Sequence, residues 1–159
     1  MSNSNEIIKI RRFQHGDEFS LWQIKNDTIR NVNIRDYSKE QIKVWASDGY
    51  DEDKWSKRIR EMNPYVAEID GQLVGFADVQ KDGYIDHFFC HHKYLGQGIG
   101  KTLMQYLIYE SDKNQVVRLY SHVSITAKPF FEKYGFYVIR KQLIEICGQK
   151  LDNYVMEKI

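Results

Sequence analysis

The chain has 159 residues, 42% hydrophobic, 28% charged and 14% aromatic, a length and balance that predict one globular domain over residues 1–159. Its formal net charge of +1 offers no basic footprint for nucleic acid; Cys90 and Cys147 cannot build a disulfide framework; and no apolar run reaches the length of a membrane span. The opening Met1-Ser2-Asn3-Ser4-Asn5-Glu6 has neither the basic start nor the apolar stretch of a secretory signal, so a cytoplasmic protein with no membrane or nucleic-acid partner is expected.

Residues 1–6 read as a loose tail. Residues 7–13 form a short β-rich run closed by His15-Gly16-Asp17, a strand. Asp17 can cap a helix carrying Phe19, Leu21, Trp22, Ile24 and Ile29. Ser38, with Gln41 three residues on, has the form of a capping box for a second helix bearing Ile42, Val44 and Trp45. Residues 51–62 predict a third, short helix with Trp55 and Ile59 at i, i+4, broken by Asn63-Pro64. Residues 65–69 and 73–79 are apolar runs around Asp70-Gly71, a hairpin signal. A second turn at Lys81-Asp82-Gly83 leads to a fourth strand over residues 84–90.

A glycine-rich loop then opens a helix over about residues 98–111, whose Ile99, Leu103, Met104, Leu107 and Ile108 form one apolar stripe. Residues 116–121 predict a strand. Ser124 or Thr126 can cap a helix through Phe130, Phe131 and Tyr134 that Gly135 ends. Residues 136–147 and 150–156 form a closing antiparallel hairpin about Gly148-Gln149. The order β-ααα-βββ-α-β-α-ββ is that of an α/β (α+β) fold with one central sheet.

The loop Leu95-Gly96-Gln97-Gly98-Ile99-Gly100-Lys101 has the makings of a phosphate cradle. Gly96, Gly98 and Gly100 allow positive φ and remove Cβ atoms from the path of a ligand. The first N–H groups of the helix lack internal partners, and with the helix dipole they attract a pyrophosphate. Lys101 and Thr102 can add a charge and a hydroxyl donor. The spacing is neither Gly-x-x-x-x-Gly-Lys nor Gly-x-Gly-x-x-Gly, and a ligand-free strand-to-helix turn is the alternative.

Cys90-His91-His92-Lys93-Tyr94-Leu95-Gly96-Gln97-Gly98-Ile99-Gly100-Lys101 resembles the acetyl-CoA motif of GCN5-related N-acetyltransferases, Arg/Gln-x-x-Gly-x-Gly/Ala. Ala127-Lys128-Pro129-Phe130-Phe131-Glu132-Lys133-Tyr134-Gly135-Phe136 is similar to the family's second signature, and the element order agrees along nearly the whole chain. The segments 37–45 and 84–89 resemble a bacterial subgroup of that family. The resemblance implies a mixed, mostly antiparallel sheet splayed at the fourth strand and flanked by helices. It implies acetyl-CoA as cosubstrate, its pantetheine arm along the backbone of Phe88, Phe89 and Cys90. Its pyrophosphate would lie on the amides of Gln97, Gly98, Ile99, Gly100 and Lys101. A β-bulge at Phe88-Phe89 would produce the splay; a buried regular strand would give the same two apolar residues. The family's closing hairpin often supports homodimers.

Two positions depart from the pattern. Leu95 stands where the motif carries Arg or Gln, so one side-chain contact to phosphate is missing. Phe131 stands where a Tyr often protonates the departing thiolate. Tyr134, three residues on, is the replacement acid, and ordinary packing beside Gly135 is the alternative. Asp86 is the first candidate for the base, directly or through water. His87 is the second, but on a regular strand the two face opposite sides. Cys90 reads as a small buried hydrophobe. His87, Cys90, His91 and His92 have poor metal-ligand spacing, and no metal is expected. The resemblance puts the N-terminal helices on one wall of the acceptor cleft, so Tyr37, Trp45 and Trp55 are candidate acceptor-binding residues, with core packing as the alternative for the tryptophans.

The leading expectation is an enzyme moving an acetyl group to a small primary amine. A non-catalytic acyl-CoA-binding regulator, suggested by Phe131, and a protein or peptide acetyltransferase are the alternatives.

Overall fold

The computed structural model describes residues 7–46 and 48–159. The expected tail, residues 1–6, lies outside them.

Strand β1 (Lys9–Arg12) precedes helices α1 (Glu18–Asn31), α2 (Lys39–Trp45) and α3 (Glu52–Met62). Strands β2 (Tyr65–Ile69), β3 (Gln72–Ala77), β4 (Tyr84–Ile85) and β5 (Phe88–Cys90) follow. Then come α4 (Ile99–Lys113), β6 (Leu119–Ser124), α5 (Lys128–Lys133), β7 (Tyr137–Ile146) and β8 (Gln149–Lys158). Among the described residues no helix is long and apolar enough to cross a membrane.

Local chemistry explains most boundaries. Ser38 and Gln41 form the reciprocal capping box that starts α2. Asp51 accepts the Lys54 N–H and starts α3. Asp17 stands at the start of α1 but does not cap it with its side chain. Its carboxylate instead pairs with Arg11 at 2.9 Å and accepts the Gln14 N–H at 2.8 Å. Asp70 and Gly71 both adopt positive φ, closing β2 onto β3 as a tight hairpin. The last hairpin turns on Cys147-Gly148 rather than Gly148-Gln149, because those are the two residues with positive φ. Strand β6 begins three residues later than the spacing predicts: α4 runs on to Lys113, and Val116 N–H still closes that helix end on Ser111 C=O. At the start of α5, Ser124 Oγ accepts the Ala127 N–H at 3.0 Å, while Thr126 Oγ1 is buried without a partner.

Among the described residues the strands form two four-stranded sheets rather than one, in the orders β1-β2-β3-β5 and β4-β6-β8-β7. The first sheet is covered on both faces. Helix α4 lays Ile99, Leu103, Met104 and Leu107 on the face carrying Ala67, Val74 and Ala77. Helices α1 and α3 lay Leu21, Ile24, Trp55 and Ile59 on the face carrying Val66 and Phe76. Burial on both sides explains why β2 and β3 are apolar almost throughout rather than alternating. A Cβ on Gly75 would sit 3.0 Å from Ile99 Cγ2 and 3.1 Å from Leu103 Cδ1, so the missing side chain lets α4 approach the sheet.

Candidate active site

The expected fourth strand, residues 84–90, is cut in two. Its first half, β4, pairs in parallel with β6; its second half, β5, pairs antiparallel with β3. Asp78 makes the cut. It is buried, and its Oδ1 accepts both the Asp86 N–H at 3.0 Å and the His87 N–H at 2.7 Å. A side chain thus takes two donors that would continue a straight ladder, and the chain turns away from β3. Burial pushes the Asp78 carboxyl up to about 6, against the lowering effect of the bonds it accepts. No bulge occurs at Phe88-Phe89: β5 keeps the register Phe76↔Phe89 and Ala77↔Phe88 without a shift. The two phenylalanines are consecutive because both faces of β5 are covered, Phe88 against Phe130 and Phe131, Phe89 against Phe76.

The split leaves β5 as an open edge. The bonds His91 N–H to Val74 C=O (2.8 Å) and Asp78 N–H to His87 C=O (3.2 Å) set the pairing phase. Antiparallel alternation then turns the Phe89 N–H and C=O toward β3, and those of Phe88 and Cys90 toward the gap. The Cys90 C=O already accepts the Thr28 hydroxyl at 2.7 Å. Of the three residues expected to meet a pantetheine arm, Phe88 and Cys90 therefore offer backbone groups.

From β5 the chain passes through a short 3-10 turn, His92–Tyr94, into the glycine loop. Gly96 and Gly98 adopt φ of 79° and 86°. Gly100 is helical and has a different reason to be glycine: a Cβ there would sit 3.1 Å from the Phe130 ring. The first intrahelical bond is Thr102 N–H to Gly98 C=O at 3.0 Å, so the N–H groups of Ile99, Gly100 and Lys101 precede it. The Thr102 hydroxyl donates to the same carbonyl at 2.8 Å, so its proton is committed to the helix rather than to a ligand. A cavity of about 600 Å³ runs along β5 to this helix start. Leu95, Gly96, Gly98, Ile99, Gly100 and Lys101 line it; Gln97 and Thr102 are not on its wall.

A second cavity, of about 380 Å³, adjoins the first at the split. Trp45, Asp86, Phe89, His122 and Ser124 line both. Asp86 and His87 are together rather than on opposite sides, because the strand is not regular here: Asp86 Oδ2 is 3.4 Å from His87 Nδ1 and 3.3 Å from Arg58 Nη2. The His87 imidazole, and after it the Arg58 guanidinium, holds the Asp86 carboxyl down to about 2 against partial burial. Burial lowers the His87 pKa despite Asp86, so the ring is neutral. Its Nδ1 is buried, and the Asp86 carboxylate beside it is a long, poorly aligned partner.

The remaining expected residues divide. Tyr134 lines the first cavity at the end of α5, packed on Phe130 at 5.0 Å between ring centroids. Phe131 is buried against Phe88 and Phe136. Burial pushes the Cys90 thiol up to about 12, leaving it protonated and inert. Trp45 stands at the junction of the cavities. Tyr37 lines the second cavity with its hydroxyl already used, donating to Asp152 C=O at 2.7 Å and accepting from Ile125 N–H at 2.9 Å. Trp55 lines neither cavity: it lies in the α1–α3 core, its indole N–H donating to Glu18 C=O at 2.8 Å.

Sequence reasoning missed Asp78, Lys25, Thr28, His122, Ser124 and Asn153. Asp78 left a signal, a carboxylate inside the apolar run Gly75-Phe76-Ala77-Asp78-Val79. The others come from separate elements and show no local pattern.

A family model described as an acetyltransferase (GNAT) domain matches residues 33–157. The Escherichia coli K12 protein YafP, an uncharacterized N-acetyltransferase, is 35% identical over 149 residues, covering 94% of each chain. A GCN5-related N-acetyltransferase from Rhodopseudomonas palustris superposes with a TM-score of 0.89 at 29% identity, again over 94% of each chain. The PaiA N-acetyltransferase of Thermoplasma acidophilum, solved in complex with coenzyme A, shares the fold with a TM-score of 0.73 at 21% identity, over 96% of this chain and 98% of that one.

Proposed function

The chain belongs to the GCN5-related N-acetyltransferases, acyl-CoA-dependent N-acyltransferases, and on that premise we propose that it moves an acetyl group from acetyl-CoA to the primary amine of a small molecule by direct attack in a ternary complex. The observation that carries this reading is the pair of cavities meeting at Asp86, Trp45 and Phe89. One is long enough to follow an open strand edge to a helix start, and the other is sized for a small molecule.

In this reading the pantetheine arm adds to the open edge of β5, bonding to Phe88 and the Cys90 N–H. The pyrophosphate meets the N–H groups of Ile99, Gly100 and Lys101 at the positive end of α4, with Lys101 adding charge. The Phe88 N–H, which faces the gap just past the two donors that Asp78 takes, polarises the thioester carbonyl. Asp86, ionised at any working pH, attracts the acceptor ammonium and passes its proton to water, beside the neutral His87 ring. The amine nitrogen attacks the thioester carbon and loses its second proton to solvent as the C–N bond forms and the C–S bond breaks. Tyr134 gives its proton to the thiolate and regains one from solvent. Trp45 forms the apolar wall where the two substrates touch.

Release of free thiol from acetyl-CoA, measured with a panel of small primary amines, tests the reading. Amine-dependent release is expected. Tight acetyl-CoA binding with no turnover on any amine or peptide would leave a non-catalytic acyl-CoA-binding protein instead, and turnover on lysine peptides alone would move the acceptor to another class.

A further inference from the structure

The second cavity has a charge that its own walls do not answer. Lys25, on α1, lines it. Among the described residues its ammonium makes no hydrogen bond or ion pair; its recorded contact is the Trp55 ring, at 5.4 Å to the centroid. The acidic groups on the same wall are each in contact with another cation, and Asp86 reaches Lys25 only through its longer-range field. Asp86 pairs with Arg58 at 3.3 Å, and Asp152 pairs with Lys141 at 3.5 Å. The imidazoles of His87 and His122 and the phenols of Tyr37 and Tyr84 complete the titratable lining. Burial, with Arg58 adding to it and Asp86 only partly offsetting it, pushes Lys25 down to about 8, so it remains mainly charged at neutral pH under an unfavourable load. An anion entering the cavity relieves that load; an apolar amine would leave the cation buried and unpaired. Asn153, on β8, adds a second unanswered group to the same wall. Its Oδ1, an acceptor for N–H donors, is buried with no hydrogen-bond partner among the described residues.

We infer that the acceptor carries an anionic group beside its amine, a carboxylate in the simplest case, and that Lys25 holds this anion while the amine faces Asp86. The substrate class is thus a small amino-carboxylate. The inference rests on the acetyl-transfer reading above for the amine and on Lys25 for the anion. Lys25 is a specificity-determining residue that touches the part of the acceptor away from the reacting nitrogen.

Two measurements test it. In the first, acetyl-CoA is turned over with a matched series of straight-chain amino acids, glycine to 6-aminohexanoate, and with their methyl esters. At least one acid is expected to exceed its ester at least tenfold in kcat/KM, roughly 1.4 kcal/mol, with the difference carried by KM. Lys25→Met brings that acid down to the level of its ester, and Lys25→Arg, which keeps the charge, retains the preference. In the second, CoA-bound protein is titrated calorimetrically with the N-acetyl forms of the same acids, which needs no turnover. The wild type binds at least one, and Lys25→Met weakens it at least tenfold.

Equal turnover of acids and esters, or a loss in Lys25→Met shared equally by both, overturns the inference and leaves acetyl transfer standing. Binding of N-acetyl acids through Lys25 without turnover of any amine overturns acetyl transfer and leaves the anion site. Unchanged CoA affinity and melting temperature report that each variant is folded. If neither variant folds, the acid-to-ester ratio of the wild type decides alone.

Discussion

On the proposed reading the cofactor end of the cleft is built from nearly contiguous backbone, whereas the acceptor end is built from side chains delivered from far apart. Between Phe88 and Lys101 one stretch supplies an open strand edge, two positive-φ glycines and three free helix N–H groups. The acceptor cavity takes Lys25 from α1, Trp45 from α2, Arg58 from α3, His122 from β6 and Asn153 from β8. On that reading backbone groups recognise a constant ligand and tolerate a lost side chain, so Leu95 would leave the cradle intact. A side-chain cavity can be rebuilt one residue at a time for a different acceptor, without touching the cradle.

Substitutions at four positions break or sharpen that contrast. The largest effect is expected at Gly83, which opens the turn into β4 on the acceptor side. Its φ is 93°, and a Cβ there would lie 1.9 Å from the Arg118 carbonyl oxygen. Gly83→Ala should cost about 4 kcal/mol or more, a fall of roughly 10 °C in Tm. Thermal melting reads it; a fall under about 2 °C would show that β4 is not anchored as described.

Asp78 ties the two ends together, because it holds the split. Asp78→Ala strands the buried N–H groups of Asp86 and His87 and should cost about 3 kcal/mol by denaturant titration, with acetyl-CoA and acceptor affinity falling together. The same residue has a pH signature. Its folded pKa is about 6 against 3.8 unfolded, so the folded state holds more protons between those values. Stability therefore falls as pH rises from about 4 to 6, by on the order of 3 kcal/mol from this group, and stays lower above it. Denaturant titrations across that window should show Asp78→Asn flattening the slope; an identical slope would reassign it.

Tyr134 sharpens the contrast at the cofactor end, where it is the one side chain asked to do chemistry. Its hydroxyl makes no hydrogen bond among the described residues, so Tyr134→Phe should leave Tm and acetyl-CoA affinity unchanged. It should lower kcat roughly 100-fold. Retained turnover removes Tyr134 as the acid. The smallest effect is expected at Gly98. Its site has room for a methyl group, the nearest atom being Ile8 Cδ1 at 4.0 Å, but its φ is 86°. Gly98→Ala should cost roughly 1–2 kcal/mol in stability and raise the acetyl-CoA Kd about tenfold, while acceptor KM at saturating acetyl-CoA stays the same. An equal rise in both would show that the two ends do not act separately.

The legibility of the two ends follows from the same difference. The capping box at Ser38, the Asp70-Gly71 hairpin, the stripe on α4 and the glycine loop are local patterns, and each appears where its spacing predicts. Trp55 misled because an aromatic on an amphipathic helix carries no mark of whether it meets a cavity or a core; here α1 closes over it. Asp86 and His87 misled because strand alternation assumes a continuous strand, and Asp78 interrupts this one from eight residues away.

By itself the sequence determined the family, the order of elements and the glycine loop that opens α4, because those depend on short-range backbone preferences and on a contiguous motif. The tertiary structure decided that one expected strand belongs to two sheets, that Asp86 and His87 meet, and that Lys25 stands unanswered in the acceptor cavity. Each of these depends on burial and on contacts between segments distant in the chain, quantities that no local pattern of residues encodes.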